Sequence, residues 1–447
     1  MKRVRPILDQ NSFSFASVGD IDKGTQKLIR RRMDTVGPAA MLFYREPLHI
    51  VKGAGVWLYD DQGRRYLDTY NNVACLGHCH PRVVEAVTKQ MSTLNTHTRY
   101  LHDALHDYAD KLKSTLPPSL NRLIMTCTGS ESNDLAIRIA RKATGKSGFI
   151  VSEAAYHGNT DTVNEVSPSA MKGSNTTLSD RVVTFPVIDV PGDPREAEEW
   201  FNQQMIDAIA LLDERGCGCA GLLTDSIYSS DGIVSHPAGF MRKGVDTVRK
   251  QGGLFIADEV QPGFGRTGDA MWGFQRHDLV PDMITMGKPM ANGYPAAGMV
   301  LRLDLLENFC SDVGYFNTFG GSTVAVAACI ALFDTLMEEG LMDNAREVGA
   351  YFKGNLESLA ERYDVVGGVR GSGLFIGFDF CKAGNPSEPD TEFTTDIINE
   401  LRNSGILIGA AGKYGNTLKI RPPLCFTREN ADFFVETLDG ILARVAR

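Results

Sequence analysis

The sequence predicts an α/β protein whose main sheet is mostly parallel and covered by helices on both faces. Short apolar runs alternate with helical patterns through the middle of the chain, and Gly, Pro or Asp bounds each run. The 447 residues suffice for two or three core-sized units. The longest apolar run, Val324 to Phe333, has half of the roughly twenty residues that a membrane helix needs, so we expect a core helix there.

The predicted elements follow this pattern along the chain. The first forty residues are polar and predict an arm with one helix over KLIRRRM. A hairpin follows, since two alternating runs flank the turn residues 61–63. We predict an N-terminal arm and hairpin over residues 1–70 that belong to a small domain. A large domain covers residues 71–329, and the C-terminal part of the small domain covers residues 330–447.

Six apolar runs in the middle of the chain predict strands, and the segments between them carry apolar residues at helical spacing. The strand runs are RLIMTC, GFIVSE, VVTFPV, AGLLTDSI, GGLFIADEV and DMITMG. The tail mixes helices with three further strand runs, which are GLFIGFDF, ILIGAAG and TLKIRPP.

The net charge and the cysteine content indicate which classes of binding partner and which cellular compartment to expect. The net charge of −9 argues against nucleic acid, because phosphate backbones need a concentrated basic face. Nine cysteines without a framework indicate reduced thiols inside a cell. The start MKRVRPILDQNSFSF lacks the apolar segment of a secretory signal. We therefore expect a cytoplasmic protein without a membrane partner.

Asp258 and Lys288 each close a short apolar run and are the most informative pair in the chain. Burial of a lysine at a strand end lowers its pKa and frees a neutral amine that can attack an aldehyde. An aspartate at a neighbouring strand end keeps a pyridine nitrogen protonated. Together they predict a site for pyridoxal 5′-phosphate, with Lys288 as the Schiff-base residue.

Three further segments carry candidate cofactor contacts. Gly129 and Ser130 lie between a predicted strand and a strong helix, where backbone N–H groups suit a phosphate; an ordinary N-cap serine explains the same pattern. Thr318, ahead of two glycines, is a second candidate of this kind. Tyr156 and His157 follow a strand and could place a flat ring over a cofactor, although such residues are also common in half-buried loops.

Two other motifs are rejected as sites. GFGRTG at residues 263–268 matches a dinucleotide fingerprint, but no long helix opens there and no acidic strand end follows. His78, Cys79 and His80 are consecutive, and a second ligand cluster is missing, so we expect no metal site.

Five motifs together resemble the class III aminotransferases of pyridoxal phosphate fold type I. The resemblance runs from the DQGRRYLD hairpin to the terminal IRPPLCFTREN and implies a large domain with a mostly parallel sheet, plus a small α/β domain built from both termini. The motifs occur in the order typical of that family and are GSESNDLAIRIAR, YHG, ADEVQPGFGRTG, TMGKPMANGYP and NTFGGSTVAVA.

The resemblance implies a role for each matching position around the cofactor ring. Lys288 would carry the cofactor, and Asp258 would pair with the pyridinium nitrogen. Gln261 would hydrogen-bond the phenolic oxygen, and Val260 would pack against the ring face opposite Tyr156. We also count His157 among the cofactor contacts.

The resemblance also implies contacts to the cofactor phosphate. Gly129 and Ser130 would hold it, and Thr318 would reach the phosphate of the other subunit's cofactor, so we expect a homodimer with shared active sites and leave a tetramer open. Asp225, with Ser226, stands where many family members have a Glu-Pro pair, and we count it among the cofactor contacts.

Within the family, the chain is most similar to ethanolamine-phosphate phospho-lyases and to mitochondrial-type alanine–glyoxylate aminotransferases. Pro289 favours the lyases. The expected function is elimination of phosphate from O-phosphoethanolamine-like amines; the alternative is transfer of an ω-amino group to pyruvate or glyoxylate. Elimination needs clustered cations, and Arg421, Lys419 and Arg99 are our candidates, each of which could instead be a surface or ion-pair residue.

Overall fold

The computed structural model describes residues 11–39, 41–171 and 178–445. The first ten residues of the predicted arm lie outside these ranges. The sixteen strands within them are β1 (Ile50–Ala54), β2 (Trp57–Asp60), β3 (Arg65–Asp68), β4 (Arg122–Thr126), β5 (Gly148–Ser152), β6 (Val182–Phe185), β7 (Cys219–Thr224), β8 (Leu254–Asp258), β9 (Met283–Met286), β10 (Ala297–Leu301), β11 (Val366–Ser372), β12 (Phe375–Lys382), β13 (Asn385–Pro389), β14 (Ile406–Leu407), β15 (Gly409–Ala411) and β16 (Thr417–Ile420).

Twelve α-helices accompany these strands in the described ranges. They are α1 (Lys23–Val36), α2 (Pro81–Thr93), α3 (Asp103–Lys113), α4 (Gly129–Thr144), α5 (Asp161–Glu165), α6 (Pro194–Glu214), α7 (Arg242–Lys250), α8 (Leu303–Cys310), α9 (Thr323–Glu338), α10 (Leu341–Ala360), α11 (Thr391–Asn403) and α12 (Arg428–Val445). None of them, within the described part of the chain, combines the length and apolarity needed to cross a bilayer.

The central sheet has seven strands in the order β4-β10-β9-β8-β7-β5-β6. Every pair from β9 to β6 is parallel, and β10 alone runs against its two neighbours. The prediction of a mostly parallel sheet is therefore confirmed, and the six predicted central strands are all present. β10 was not among them.

The two ends of the chain share a second sheet. The predicted hairpin forms as β2 and β3, and β14 pairs with β3 in parallel, giving the order β1-β2-β3-β14. A third sheet contains β11, β12, β16 and β15, with β13 beside β12. The predicted core helix is α9, whose apolar residues are mostly buried. It crosses the predicted boundary at residue 329, and the domain boundaries stay a prediction.

Candidate active site

A cavity of about 160 Å³ opens beside the carboxyl end of the parallel strands, where ligands of open α/β sheets bind. β8 and β9 are adjacent, so the residues that follow them lie side by side. Segments from both ends of the chain close the cavity. Its walls are formed by Asn11, Phe43, Tyr70, Tyr156, Ser169, Ser230, Gln261, Lys288, Gly409, Ala410, Ala411, Lys419 and Arg421.

Lys288 lies two residues after the end of β9 and lines the cavity. Burial lowers the pKa of Lys288 to about 8, and the positive charge of Arg421 acts in the same direction. The carboxylates of Asp258 and Asp225 oppose this shift without cancelling it. The neutral amine, which attack on an aldehyde requires, is therefore reached at mildly alkaline pH and not only at the high pH that a free lysine needs.

Asp258 is held in one orientation at the end of β8. Its Oδ2 lies 2.7 Å from His157 Nδ1 and accepts a hydrogen bond from Asn133 Nδ2 at 3.0 Å, while its Oδ1 accepts one from the backbone N–H of Val260. Thr285 donates to Asn133 Oδ1 at 2.6 Å and fixes that amide. The carboxylate is thus stabilised as an acceptor, which suits a protonated ring nitrogen.

The amino end of α4 forms a close-packed cradle. A Cβ on Gly129 would lie 2.9 Å from Val260 Cγ2, and one on Gly287 would lie 3.3 Å from Gly129 Cα. Ser130 Oγ accepts a hydrogen bond from Asn159 N at 3.2 Å. Thr128 caps the helix, since its Oγ1 accepts a hydrogen bond from Glu131 N at 3.1 Å, and the amino end of a helix is a favourable place for a phosphate.

A hydrogen-bonded chain connects Asp225 to Arg421 across the cavity. Ser229 Oγ donates to Asp225 Oδ2 at 2.6 Å and accepts from Gln261 Nε2 at 2.5 Å. Gln261 Oε1 in turn accepts from Arg421 Nη1. Burial raises the pKa of Asp225, against the hydrogen bonds from Ser229 and Ile227 that favour its charged form.

Lys419 and Arg421 are two buried basic side chains that line the cavity together. Lys419 Nζ lies 5.7 Å from the centre of the Phe375 ring, and the Arg421 guanidinium lies 4.7 Å from the centre of the Tyr70 ring. Neither forms an ion pair with any described residue. Burial, and after it the charge of Arg421, lowers the pKa of Lys419 well below its usual range. An anion bound beside both side chains would offset their burial and favour the charged form of Lys419.

Thr318 and Arg99 lie apart from the cavity, on the surface. Arg99 stacks over the Phe316 ring at 3.8 Å, and Thr318 is in the exposed loop that precedes α9. The same loop bonds to the first turn of α4, because Asn317 Nδ2 donates to Glu131 Oε2 at 3.3 Å. Arg99 as a substrate contact and Thr318 as a phosphate contact therefore stay predictions.

Several residues of the site had no local signal in the sequence. Asn133 is four residues into α4 and orients Asp258. Ser229 orients Gln261. Asn11, Phe43 and Tyr70 come from the arm and the hairpin, and only the pairing of the two chain ends brings them to the cavity.

The side chains present fit pyridoxal phosphate. Lys288, whose pKa is lowered, lines the cavity. The oriented Asp258 acts on its charge, and the glycine cradle at the amino end of α4 packs against Gly287, the residue before it. Within the described ranges, no group of three or more His, Cys, Asp or Glu side chains is placed so that it could hold a metal ion.

Comparison with known proteins gives a family and several relatives. The model of the family "Aminotransferase class-III" matches residues 43–442. "Ethanolamine-phosphate phospho-lyase homolog 1" of Caenorhabditis elegans is 37% identical over 95% of this chain and 95% of its own length. "Alanine–glyoxylate aminotransferase 2-like" of Drosophila melanogaster is 37% identical over 91% of this chain and 85% of its own length.

Solved structures give the same fold. A phospholyase from Arthrobacter in complex with phosphoethanolamine is 41% identical and has a TM-score of 0.90. The match covers 94% of this chain and 100% of that one. A pyridoxal phosphate-bound amine transaminase from an uncultivated Pseudomonas species is 27% identical, with a TM-score of 0.81 over 89% of this chain and 95% of its own.

Proposed function

Since the chain belongs to the class III aminotransferase family, we propose that it is a pyridoxal phosphate-dependent phospho-lyase that eliminates phosphate from O-phosphoethanolamine or a close analogue. One observation carries this choice within the family. Lys419 and Arg421 are buried and line the cavity of Lys288, and neither forms a salt bridge with a carboxylate of the described residues. A phosphate dianion supplies the charge that these two cations lack.

Different residues of the cavity act on the two ends of the substrate, the amine end and the phosphate end. When bound, pyridoxal phosphate supplies an electron sink for the carbon that carries the amine. Asp258 keeps the proton on the ring nitrogen, and the neutral amine of Lys288 removes the proton from that carbon. Arg421 and Lys419 hold the phosphate at the far end of the substrate.

Elimination then breaks the bond between the second carbon and the phosphate oxygen. The electron pair of that bond leaves on phosphate, where Lys419 and Arg421 stabilise the added charge. A carbon–carbon double bond forms, and water hydrolyses the released enamine to acetaldehyde and ammonia. One water is thus consumed for each acetaldehyde, ammonia and phosphate.

Amino transfer is the alternative, and the similarity to the Drosophila melanogaster protein favours it as the second candidate. The same proton removal by Lys288 begins that reaction. The amino nitrogen would then pass to a 2-oxo acid such as pyruvate or glyoxylate, and no phosphate would be released.

Incubation of the holoenzyme with O-phosphoethanolamine tests the choice. We expect equal amounts of inorganic phosphate, acetaldehyde and ammonia, and none of them with Lys288→Ala. Lys419→Met should raise KM about tenfold or more, since it removes one charged contact to the anion. Lys413→Met is the matched control, because Lys413 is an exposed lysine paired with Glu153 at 2.9 Å outside the cavity. Transfer of an amine from β-alanine to pyruvate or glyoxylate without phosphate release would contradict the proposal.

We further propose that the working unit is a homodimer. Leu101 and Phe319 are 97% and 71% exposed, and Tyr100 and Phe316 lie with them on one surface beside Thr318. Exposed aromatic and aliphatic side chains of this size favour a protein interface. A second copy placed there would bring its own Thr318 towards the amino end of α4.

The nine free cysteines support a cytoplasmic location.

A further inference from the structure

The N-terminal arm is anchored in the wall of the cavity. Its backbone pairs with the segment before the hairpin, since Phe13 N donates to Leu42 O at 2.8 Å and Tyr44 N donates to Asn11 O at 3.0 Å. Tyr44 Oη then donates to Ile408 O at 3.0 Å and accepts from Ile408 N at 3.1 Å. Asn11 therefore has a fixed position beside the strands that carry the cavity's cations.

The orientation of the Asn11 amide follows from its neighbour Asn399. Asn399 Oδ1 accepts from Arg45 N at 2.8 Å, so its Nδ2 points the other way and donates to Thr395 O at 2.7 Å and to Asn11 Oδ1 at 3.3 Å. Asn11 must offer its oxygen to that donor. Its own Nδ2 consequently faces away from Asn399.

Asn11 Nδ2 is a buried donor without an acceptor among the described residues. The side chain is only 9% exposed and lines the same cavity as Lys419 and Arg421. Buried donors are almost always paired in folded proteins, so an unpaired one on a residue that lines a binding cavity is a candidate contact for an acceptor on a ligand.

We propose that Asn11 Nδ2 donates a hydrogen bond to the anionic end of the substrate, together with Lys419 and Arg421. This assignment rests on the function proposed above. A phosphate group has enough acceptor oxygens for all three donors, and a neutral amide adds a directional contact without placing a third charge beside two buried cations. Asn11 is then a residue of the N-terminal arm that selects an anionic substrate.

Calorimetric titration of the holoenzyme with inorganic phosphate tests the assignment. The bound cofactor already fills the phosphate cradle of α4, so the added phosphate does not bind there. Asn11→Ala should weaken phosphate binding about five- to tenfold through loss of one donor. Asn11→Asp keeps the oxygen that faces Asn399 but replaces the donor with a negative charge, so a loss of about thirtyfold or more is expected. Asn308→Asp, an exposed position on α8, is the control for the added charge.

KM for O-phosphoethanolamine should rise with the phosphate dissociation constant, while kcat changes less than threefold. Wild-type phosphate affinity in both Asn11 variants would overturn the assignment. The assignment would also be overturned if Asn11→Ala lost cofactor content and melting temperature in proportion to its loss of phosphate binding. That pattern would mark a structural role for Asn11. A wild-type enzyme that releases no phosphate from O-phosphoethanolamine would contradict the proposed function instead, and the titration would still report on Asn11.

Discussion

At the scale of single residues, the site gives one lysine and one aspartate opposite tasks through their surroundings. Lys288 is enclosed and lies near Arg421, so its neutral form is favoured. Asp258 has His157, Asn133 and the N–H of Val260 around its two oxygens, so it is held as an acceptor. The lysine can therefore move a proton while the aspartate keeps one in place on the ring.

The pH dependence of cofactor attachment follows from the lowered pKa of Lys288. Only the neutral amine attacks the aldehyde, so the rate at which the apoenzyme combines with pyridoxal phosphate should rise through about pH 8, not through the ordinary value of 10.5. Arg421→Gln should move this midpoint to higher pH, because it removes a positive charge that lowers the pKa. Stopped-flow absorbance measures the rate. A midpoint that stays near 10.5 in the wild-type protein would contradict this account.

At the scale of elements, the loop after β5 and the amino end of α4 are packed without spare room. Gly158 has φ of +147°, and a Cβ there would lie 2.4 Å from Ser130 Oγ. The loop and the helix can approach this closely only because residue 158 is glycine. The position of Ser130 depends on that approach.

Gly158→Ala should therefore lower cofactor affinity about tenfold or more, since the added carbon displaces Ser130 and strains the loop. The dissociation constant for pyridoxal phosphate, obtained by titrating apoenzyme, measures the effect. Gly354→Ala is the control, because Gly354 is inside α10 and an added Cβ there meets nothing within 4 Å. Equal affinities for the two variants would show that the contact between the loop and α4 does not position the phosphate site.

The pairing of these elements explains how much of the fold and of the site the sequence could predict. Asp258 and Lys288 could be paired in advance because each ends an apolar run, and runs of that kind become neighbouring parallel strands. β10 was missed because its Ala and Gly residues are weak strand formers, and its pairing with β4 and β9 determines its state. Asn11 and Tyr70 carry no local pattern at all. They reach the site only through tertiary pairing of the two chain ends.

At the scale of the whole molecule, the two termini and the exposed surface around Phe319 lie at different places around the site. The termini close the substrate end of the cavity, since Asn11, Lys419 and Arg421 all come from them. The exposed surface lies beside the loop that bonds to α4, near the cradle for the cofactor phosphate. Assembly of two copies would therefore act on cofactor binding more than on substrate binding.

Substitution of Leu101→Asp together with Phe319→Asp tests this coupling between assembly and cofactor affinity. Two charges buried at the proposed apolar contact should shift the proposed dimer to monomer, and analytical ultracentrifugation measures the change. Cofactor affinity should fall with dissociation if, as proposed, Thr318 of the other copy contacts the phosphate. Val280→Asp is the control, being 46% exposed ahead of β9 at the opposite end of the sheet from the cavity. A wild-type protein that sediments as a monomer with full cofactor occupancy would show that one chain completes the site alone.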